Sequence, residues 1–180
     1  MSLRKIAVLG HPILRQVAKS VDVAKISSPE IQNLVRDMAE TMVEYNGRGL
    51  AAPQIHESLQ ITVILWDFNP KEKASLSILI NPVIKTLTQE TSSNWEGCLS
   101  IPGMRVKVTR PNKISVKAFN AAAEELDFIA EGFMATVIQH ECDHLMGKLY
   151  VDRMTDFTQF AFDREFLKYW GKEAADSKPE

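Results

Sequence analysis

QITVILW, at residues 60–66, begins a series of four short segments rich in β-branched residues; the others are LSILINPVIKTL (76–87), MRVKVTR (104–110) and KISVKAF (113–119). Asn, Pro and Gly separate them, as is typical of strands. Consecutive strands that are joined without intervening helices cannot form parallel crossovers. We therefore expect a mostly antiparallel sheet in the middle of the chain.

Helical patterns lie on both sides of these strands. Ser28-Pro29-Glu30 offers an N-cap, a proline at the first helical position and an acid in the first turn, and apolar residues then recur at helical spacing until Asn46-Gly47. A second helix is predicted from about Glu131-Gly132 to Gly147, and a third from about Asp156 to Trp170. This order of elements predicts an α+β fold with a C-terminal helix.

Size and charge narrow the classes of function. The chain has 180 residues, 45% of them hydrophobic, which suits one domain with a core of its own. Its 21 basic and 23 acidic residues give a formal charge of −2, so neither nucleic acid nor an anionic membrane surface is an expected partner. The apolar runs are too short to span a bilayer. We expect one soluble domain over residues 1–171 and a polar tail over residues 172–180.

The expected compartment is the cytoplasm. The basic N-terminus is not followed by a cleavage site of small residues, and Pro12 interrupts its apolar run, so a secretory signal is not expected. No acidic residue precedes Asp22, which leaves an organellar transit peptide as an alternative. Cys98 and Cys142 lie in different contexts, and a single possible bridge in a domain of this size favours a reducing environment.

His140-Glu141-Cys142-Asp143-His144 carries the strongest chemical signal. Histidines four residues apart lie on one face of a helix, where two imidazoles can bind one metal ion, and the adjacent Glu141 could serve as general base. A helix that carries two histidines and an acid without any metal is the alternative. Cys142 lies about 200° around the helix from His140, so we expect it to pack against the protein.

A catalytic metal usually has three protein ligands and one position for water. Residues 145–160 contain neither His nor Glu, which argues against the third ligand of an ordinary metallopeptidase. Cys98, within Glu96-Gly97-Cys98-Leu99-Ser100, is the better candidate, because Gly97 allows a tight turn and a metal can hold the sulfur as thiolate. A buried cysteine that only fills space is the alternative.

The segment GRGLAAPQ (47–54) follows the first helix and would let the main chain come close to another group. It has neither the Lys-Ser/Thr of a nucleotide loop nor the flanking elements of a dinucleotide site, so phosphate binding is not expected. Gln54 could donate a hydrogen bond to a developing oxyanion. A glycine-rich connection packed under a sheet is the alternative.

Three segments together resemble the signature motifs of the peptide deformylases, in the same order and with similar spacing: GRGLAAPQ (47–54), EGCLS (96–100) and QHECDHLMG (139–147). With GHPILR (10–15), the resemblance covers most of residues 5–155. It implies antiparallel sheets packed around a central metal-binding helix. It also implies that Cys98, His140 and His144 bind one divalent metal ion, most often Fe(II) in bacterial members, with Zn, Ni or Co able to replace it.

The resemblance further implies a metal-dependent hydrolase that removes the formyl group from N-formylmethionyl peptides of newly made chains, which would place it near ribosomes. Glu141 would be the base, with Gln54 and the Leu99 backbone N–H stabilising the oxyanion. Gln139, just before the first histidine, would orient the site without binding the metal itself. The residues implied to bind substrate are Arg48, Gly49, Glu96, Gly97, Arg105 and Val137.

Arg48 departs from the family pattern, in which an aliphatic residue usually stands between the two glycines and lines the methionine pocket. The arginine could keep its charge in solvent or pair with an acidic group of a ligand. We therefore retain a second hypothesis, a deformylase-like paralogue with an altered substrate preference or a role in ligand binding.

Overall fold

Two antiparallel sheets and three α-helices are present in the computed structural model, which describes residues 3–66 and 75–171. The tail expected at residues 172–180 lies outside these ranges. The strands are β1 (Gly49–Ala51), β2 (Ile61–Trp66), β3 (Ser75–Thr86), β4 (Thr91–Cys98), β5 (Ile101–Pro111), β6 (Lys113–Phe119), β7 (Glu125–Glu131) and β8 (Phe160–Phe162). The helices are α1 (Pro29–Glu44), α2 (Gly132–Leu145) and α3 (Asp163–Tyr169). The predicted α+β class is confirmed.

The five-stranded sheet has the order β1-β2-β3-β6-β7, and the three-stranded sheet has the order β4-β5-β8. The four strands that the sequence predicted correspond to β2, β3, β5 and β6, and every pairing between strands is antiparallel. β1, β4, β7 and β8 were not predicted. The pairing of β4 with β5 shifts register between Gly97 and Cys98, which redirects the end of β4.

Helix α1 begins where the sequence predicts. The Ser28 hydroxyl accepts a hydrogen bond from the Ile31 N–H, and Pro29 occupies the first helical position. The buried side of the helix packs on β1 and β2, and Asn46 follows its end with a left-handed φ of 55°. This packing holds the start of GRGLAAPQ against the core.

Helix α2 runs through the interior, and every residue from Ala135 to Leu145 is buried. Ala135, Ile138 and Cys142 pack into an apolar cluster with residues of the five-stranded sheet, which confirms the packing role predicted for Cys142. Because the opposite side of the helix is also buried, its polar side chains need partners inside the protein.

The third helix is shorter than predicted. Residues 163–169 are helical, whereas residues 160–162 form β8, which pairs with β5 through Phe162 opposite Met104 and Phe160 opposite Val106. The predicted start at Asp156 is therefore wrong: Asp156 instead caps a short 3-10 turn. Residues 160–162 extend the three-stranded sheet by pairing with β5, although their sequence pattern also suits a helix. None of the helices within the described ranges has the length and apolar character to span a bilayer.

Candidate active site

Cys98, His140 and His144 lie together between the two sheets. His140 and His144 are one turn apart on α2, and Cys98 is the last residue of β4, just after the register shift. Their possible ligand atoms all lie within 4.8 Å of one another. The His144 Nε2 is 3.3 Å from the Cys98 Sγ. The structure thus brings together the three residues for which the sequence predicts metal binding.

The chemistry of this donor set fits a divalent metal ion. Burial opposes ionisation of Cys98, but the charge of His144 and hydrogen bonds from both histidines outweigh it and hold the pKa of the thiol well below its usual value. The thiolate is the form that binds metal. The Glu141 Oε2 and the His144 Nδ1 are buried beside the cluster without a hydrogen-bond partner among the described residues. One thiolate and two imidazoles leave a tetrahedral ion one open position.

Glu141 lies directly against Gly49 of β1. A Cβ atom at position 49 would stand 2.2 Å from the Glu141 Oε1 and 2.6 Å from its Cδ, so only glycine leaves room for this carboxylate. Burial raises the pKa of Glu141 to about 6. A carboxyl group with a pKa in this range is suited to proton transfer near neutral pH.

Gln54 sits in a 3-10 turn that follows β1, and its side chain is buried. Its Oε1 accepts a hydrogen bond from the Ala51 N–H at 2.8 Å, which fixes the orientation of the amide. Its Nε2 consequently points toward the Cys98 Sγ, at 3.4 Å, and the Ser100 Oγ, at 3.2 Å. A hydrogen-bond donor is therefore aimed at the metal-ligand cluster.

Glu96 is expected from the sequence to contact the substrate, but in the structure its carboxylate contacts two protein side chains. It borders the cleft, but Arg110 donates to both carboxylate oxygens, at 2.6 and 3.0 Å, and Oε2 also lies 2.7 Å from the His140 Nδ1. A carboxylate whose oxygens are occupied in this way has little capacity for a peptide. It instead fixes the tautomer and orientation of His140 and leaves the Nε2 in a position where it could bind a metal ion.

Arg110, which binds Glu96, also belongs to a largely buried ion network with Asp143 and the more exposed Arg153, which was not predicted from the sequence. The Arg110 Nη1 donates to the Asp143 Oδ2 at 2.8 Å, and the Arg153 Nη2 donates to the Asp143 Oδ1 at 2.6 Å. The signal that could have revealed it is alternation: Val106, Val108 and Arg110 share one face of β5, and all three are buried. A charged residue that continues an apolar face needs a buried partner of opposite charge.

A cleft of about 670 Å³ opens onto the cluster. Besides Cys98 and His140, the predicted residues on its wall are Arg48, Gly49, Gln54, Glu96, Gly97, Leu99, Arg105, Val137 and Glu141. The sequence did not single out Trp95, Phe133 or Asp163, which also line the cleft. Gln139 does not line it: its amide donates to the Pro111 and Ala135 carbonyls and so packs α2 against β5.

Comparison with known proteins identifies the family of this chain. The chain matches the family model described as polypeptide deformylase over residues 3–160. Peptide deformylase 1 of Nitrosomonas europaea is 42% identical over 164 residues, covering 89% of this chain and 92% of the relative. A peptide deformylase of Leptospira biflexa is 42% identical over 170 residues, covering 92% and 95%.

Solved structures give the same result. The class I type b peptide deformylase of Acinetobacter baumannii with Met-Ala-Ser bound superposes with a TM-score of 0.79 at 33% identity, covering 85% of this chain and 99% of that one. The peptide deformylase of Thermotoga maritima gives a TM-score of 0.79 at 37% identity, covering 87% and 100%. By sequence along most of its length, by fold and by the residues gathered in its cleft, this chain belongs to the polypeptide deformylase family.

Proposed function

We propose that Cys98, His140 and His144 bind the metal ion of this deformylase. We further propose that Glu141 transfers the proton in the reaction and that Gln54 stabilises the developing negative charge. The enzyme is a metal-dependent hydrolase that removes the formyl group from the N-terminal formylmethionine of newly made polypeptides. One observation supports this assignment of roles: Cys98, His140, Glu141 and Gln54 border one cleft, and the ligand atoms of Cys98, His140 and His144 lie within 4.8 Å of one another.

In this proposal Glu141 and Gln54 have separate tasks. A divalent metal held by the three ligands supplies Lewis acidity at the formyl group. Glu141 accepts a proton from the attacking water, whose oxygen forms a bond to the formyl carbon, and returns the proton to the methionine nitrogen as the C–N bond breaks. The Gln54 Nε2 and the Leu99 N–H donate to the formyl oxygen as negative charge develops on it. The products are formate and a free amino terminus.

For the metal itself we propose Fe(II), with Zn, Ni or Co as replacements. A thiolate and two imidazoles are suitable ligands for each of these ions, so availability in the cell decides among them. The Cys98 side chain is half-buried, which limits the contact of the thiolate with solvent.

For substrate binding we propose that the peptide runs as an extended strand between two strand edges. β1 and β4 each form an edge of their sheet within the described residues, and they contribute Gly49 and Gly97 to the cleft. Val137 and Phe133 provide apolar surface for the methionine side chain. A strand edge recognises any peptide through its main chain, which suits an enzyme that acts on many different chains.

Arg48 does not favour the paralogue hypothesis. It is exposed on the rim of the cleft, and its carbonyl accepts a hydrogen bond from the Leu65 N–H at 2.8 Å as β1 begins. Relatives named peptide deformylase align with this chain over about nine tenths of its length. We propose that nascent chains are the substrates, met near the ribosome in the cytoplasm.

Formate release from formyl-Met-Ala-Ser tests the proposed roles. Protein prepared without oxygen and loaded with Fe(II), or with Ni(II), is expected to turn over, and Glu141→Gln is expected to lose roughly 10²–10⁴ in kcat while it still binds the metal. Glu90→Gln, at an exposed turn, is the matched control. Retention of most activity by Glu141→Gln would refute the role of the base.

A further inference from the structure

The C-terminal segment made of β8 and α3 forms part of the wall of the cleft. The match to the family model ends at residue 160, so the role of the segment is not given by that match. Asp163, the first residue of α3, lines the cleft. Its Oδ1 accepts a hydrogen bond from the Arg105 Nε at 2.7 Å.

Arg105 is held from three sides. Asp163 binds one edge of the guanidinium, and the ring of Phe166 lies under it, with the Cζ 5.0 Å from the ring centroid. On the third side is Gly97, where a Cβ atom would stand 3.5 Å from the Arg105 Nη1. The terminal nitrogens of the guanidinium therefore lie over the edge strand along which a peptide would run.

The aromatic side chain beneath Arg105 is closely packed. Phe166 is only 5% exposed, and its ring packs on Trp95 of β4 with centroids 5.1 Å apart. Trp170 packs on the same indole at 5.7 Å. Helix α3 is thus fixed to β4 by aromatic contacts, and Arg105 lies between them.

The ion pair has little value for folding. The side chains of Arg105 and Asp163 are 36% and 42% exposed, and pairs this exposed contribute little to stability. Yet the pair fixes a long, flexible side chain beside the reactive centre. An arginine whose conformation is already restricted loses less entropy when it binds a ligand.

We propose that Asp163 and Phe166 are positioning residues, which hold Arg105 to bind main-chain carbonyl oxygens of the peptide beyond its second residue. This inference rests on the proposed function and assigns to the C-terminal segment the affinity for longer chains. Nothing in this contact favours one side chain over another, because the guanidinium meets acceptors common to every peptide.

Steady-state kinetics with two substrates, formyl-Met-Ala and formyl-Met-Ala-Ser, test the proposal. Asp163→Asn is expected to raise the KM for the longer peptide roughly three- to tenfold, and to change kcat less than twofold, because a hydrogen bond to a charged group is weakened. The rise is expected to be at least threefold smaller with the shorter peptide. Asp163→Glu is expected to restore most of the lost affinity.

Glu165→Gln is the matched control, because it removes the same charge from the same helix at a residue that pairs with Arg164 instead of Arg105. It is expected to leave both KM values unchanged. Phe166→Leu keeps an apolar side chain in the buried position but removes the ring under the guanidinium, so it is expected to act like Asp163→Asn.

Calorimetric titration with unformylated Met-Ala-Ser and Met-Ala gives a readout that needs no turnover. Asp163→Asn is expected to weaken the binding of Met-Ala-Ser but not that of Met-Ala, and to raise the Kd of Met-Ala-Ser by the same factor as the KM in the kinetics. Equal effects of Asp163→Asn and Glu165→Gln, or equal losses for both peptides, would overturn the inference. A wild type that binds these peptides but releases no formate would instead refute the proposed function.

Discussion

At the scale of single residues, Gly49 shows how narrowly the site is built. Because glycine has no side chain, the Glu141 carboxylate can occupy the space where a Cβ atom at position 49 would lie. We predict that Gly49→Ala displaces this carboxylate and lowers kcat roughly 10²-fold, since a shift of about 1 Å can have that effect on a positioned group. The clash involves the end of a side chain, so the urea-unfolding free energy should change little.

Gly171→Ala is the control for this prediction. A Cβ atom there would have its nearest neighbour at 3.7 Å, an ordinary contact. Its kcat for formyl-Met-Ala-Ser should equal that of the wild type. An equally active Gly49→Ala would show that Glu141 does not need its present position.

The position of Glu96 behind His140 predicts an effect on metal retention. Glu96→Gln keeps the shape but weakens the hydrogen bond to the His140 Nδ1, and loss of such a partner typically costs 10- to 100-fold in metal affinity. Release of Ni(II) or Zn(II) to a chromogenic chelator should accelerate accordingly. Glu90→Gln should release the metal at the wild-type rate, and no acceleration in Glu96→Gln would contradict the role.

The sequence predicted Cys98, His140, His144 and Glu141, which the structure brings close together, but not the residues that support them. Helical spacing alone puts His140 and His144 on one face, and that argument survives any change elsewhere in the fold. The sequence did not reveal that Glu96 contacts Arg110 and His140, because these partners are 14 and 44 residues away in the chain. Contacts of this kind depend on register between strands, which local pattern does not reveal.

At the scale of elements, the contribution of the Ser28 N-cap to the stability of α1 can be tested by a single substitution. Ser28→Ala removes the hydroxyl that accepts from the Ile31 N–H and should lower the free energy of unfolding in urea by about 1 kcal/mol. Ser27→Ala, at the exposed neighbouring residue, should change it by less than about 0.5 kcal/mol. Equal effects would show that the hydroxyl at position 28 does not cap the helix.

The strands whose sequences show a regular pattern were predicted, whereas strands without such a sequence pattern were not. β2 and β6 are rich in β-branched residues and flanked by turn residues, whereas β4 reads TSSNWEGC, which has little apolar content and no alternation of apolar and polar residues. β4 exists because β5 pairs along its whole length, from Thr91 to Cys98. β1 and β8, with three residues each, are too short to give a periodic signal.

At the scale of the whole molecule, the N-terminal segment closes over the end of α2. The Ala18 N–H donates to the Leu145 carbonyl at 2.8 Å, and a Cβ at Gly147 would collide with the Arg15 main chain at 2.7 Å. Arg15 also forms an ion pair with Asp152. Residues 15–18, at and just after the end of GHPILR, therefore pack against and stabilise the end of the helix that carries both histidines.

This ion pair predicts a dependence of stability on pH. Partial burial opposes ionisation of Asp152, but hydrogen bonds from Arg15 and the Leu149 N–H prevail and lower its pKa. A carboxyl group with a lowered pKa in the folded state stabilises above its unfolded pKa of about 4, and this contribution is lost as pH falls through the folded value. The wild type should exceed Asp152→Asn in unfolding free energy at pH 7, by less than about 1 kcal/mol because the pair is partly exposed.

Urea unfolding of both proteins at pH 7 and at about pH 2.5 measures this difference. It should be present at the higher pH and vanish at the lower. Asp127→Asn serves as the comparison, because the pair that Asp127 forms with Lys117 is more exposed, at 65% and 70%, and should contribute less. A difference that grew on acidification would contradict the sign.

The two strand edges that border the cleft bear on how the protein behaves in a crowded cell. An unpaired edge is a template on which other chains can aggregate. Here one such edge, β1, is only three residues long, and β4 contributes its end to the wall of a recess instead of to an open face. A flexible single chain can enter such a recess more readily than the edge of another folded molecule. The same recess that admits a nascent peptide therefore protects the enzyme against sticking to itself.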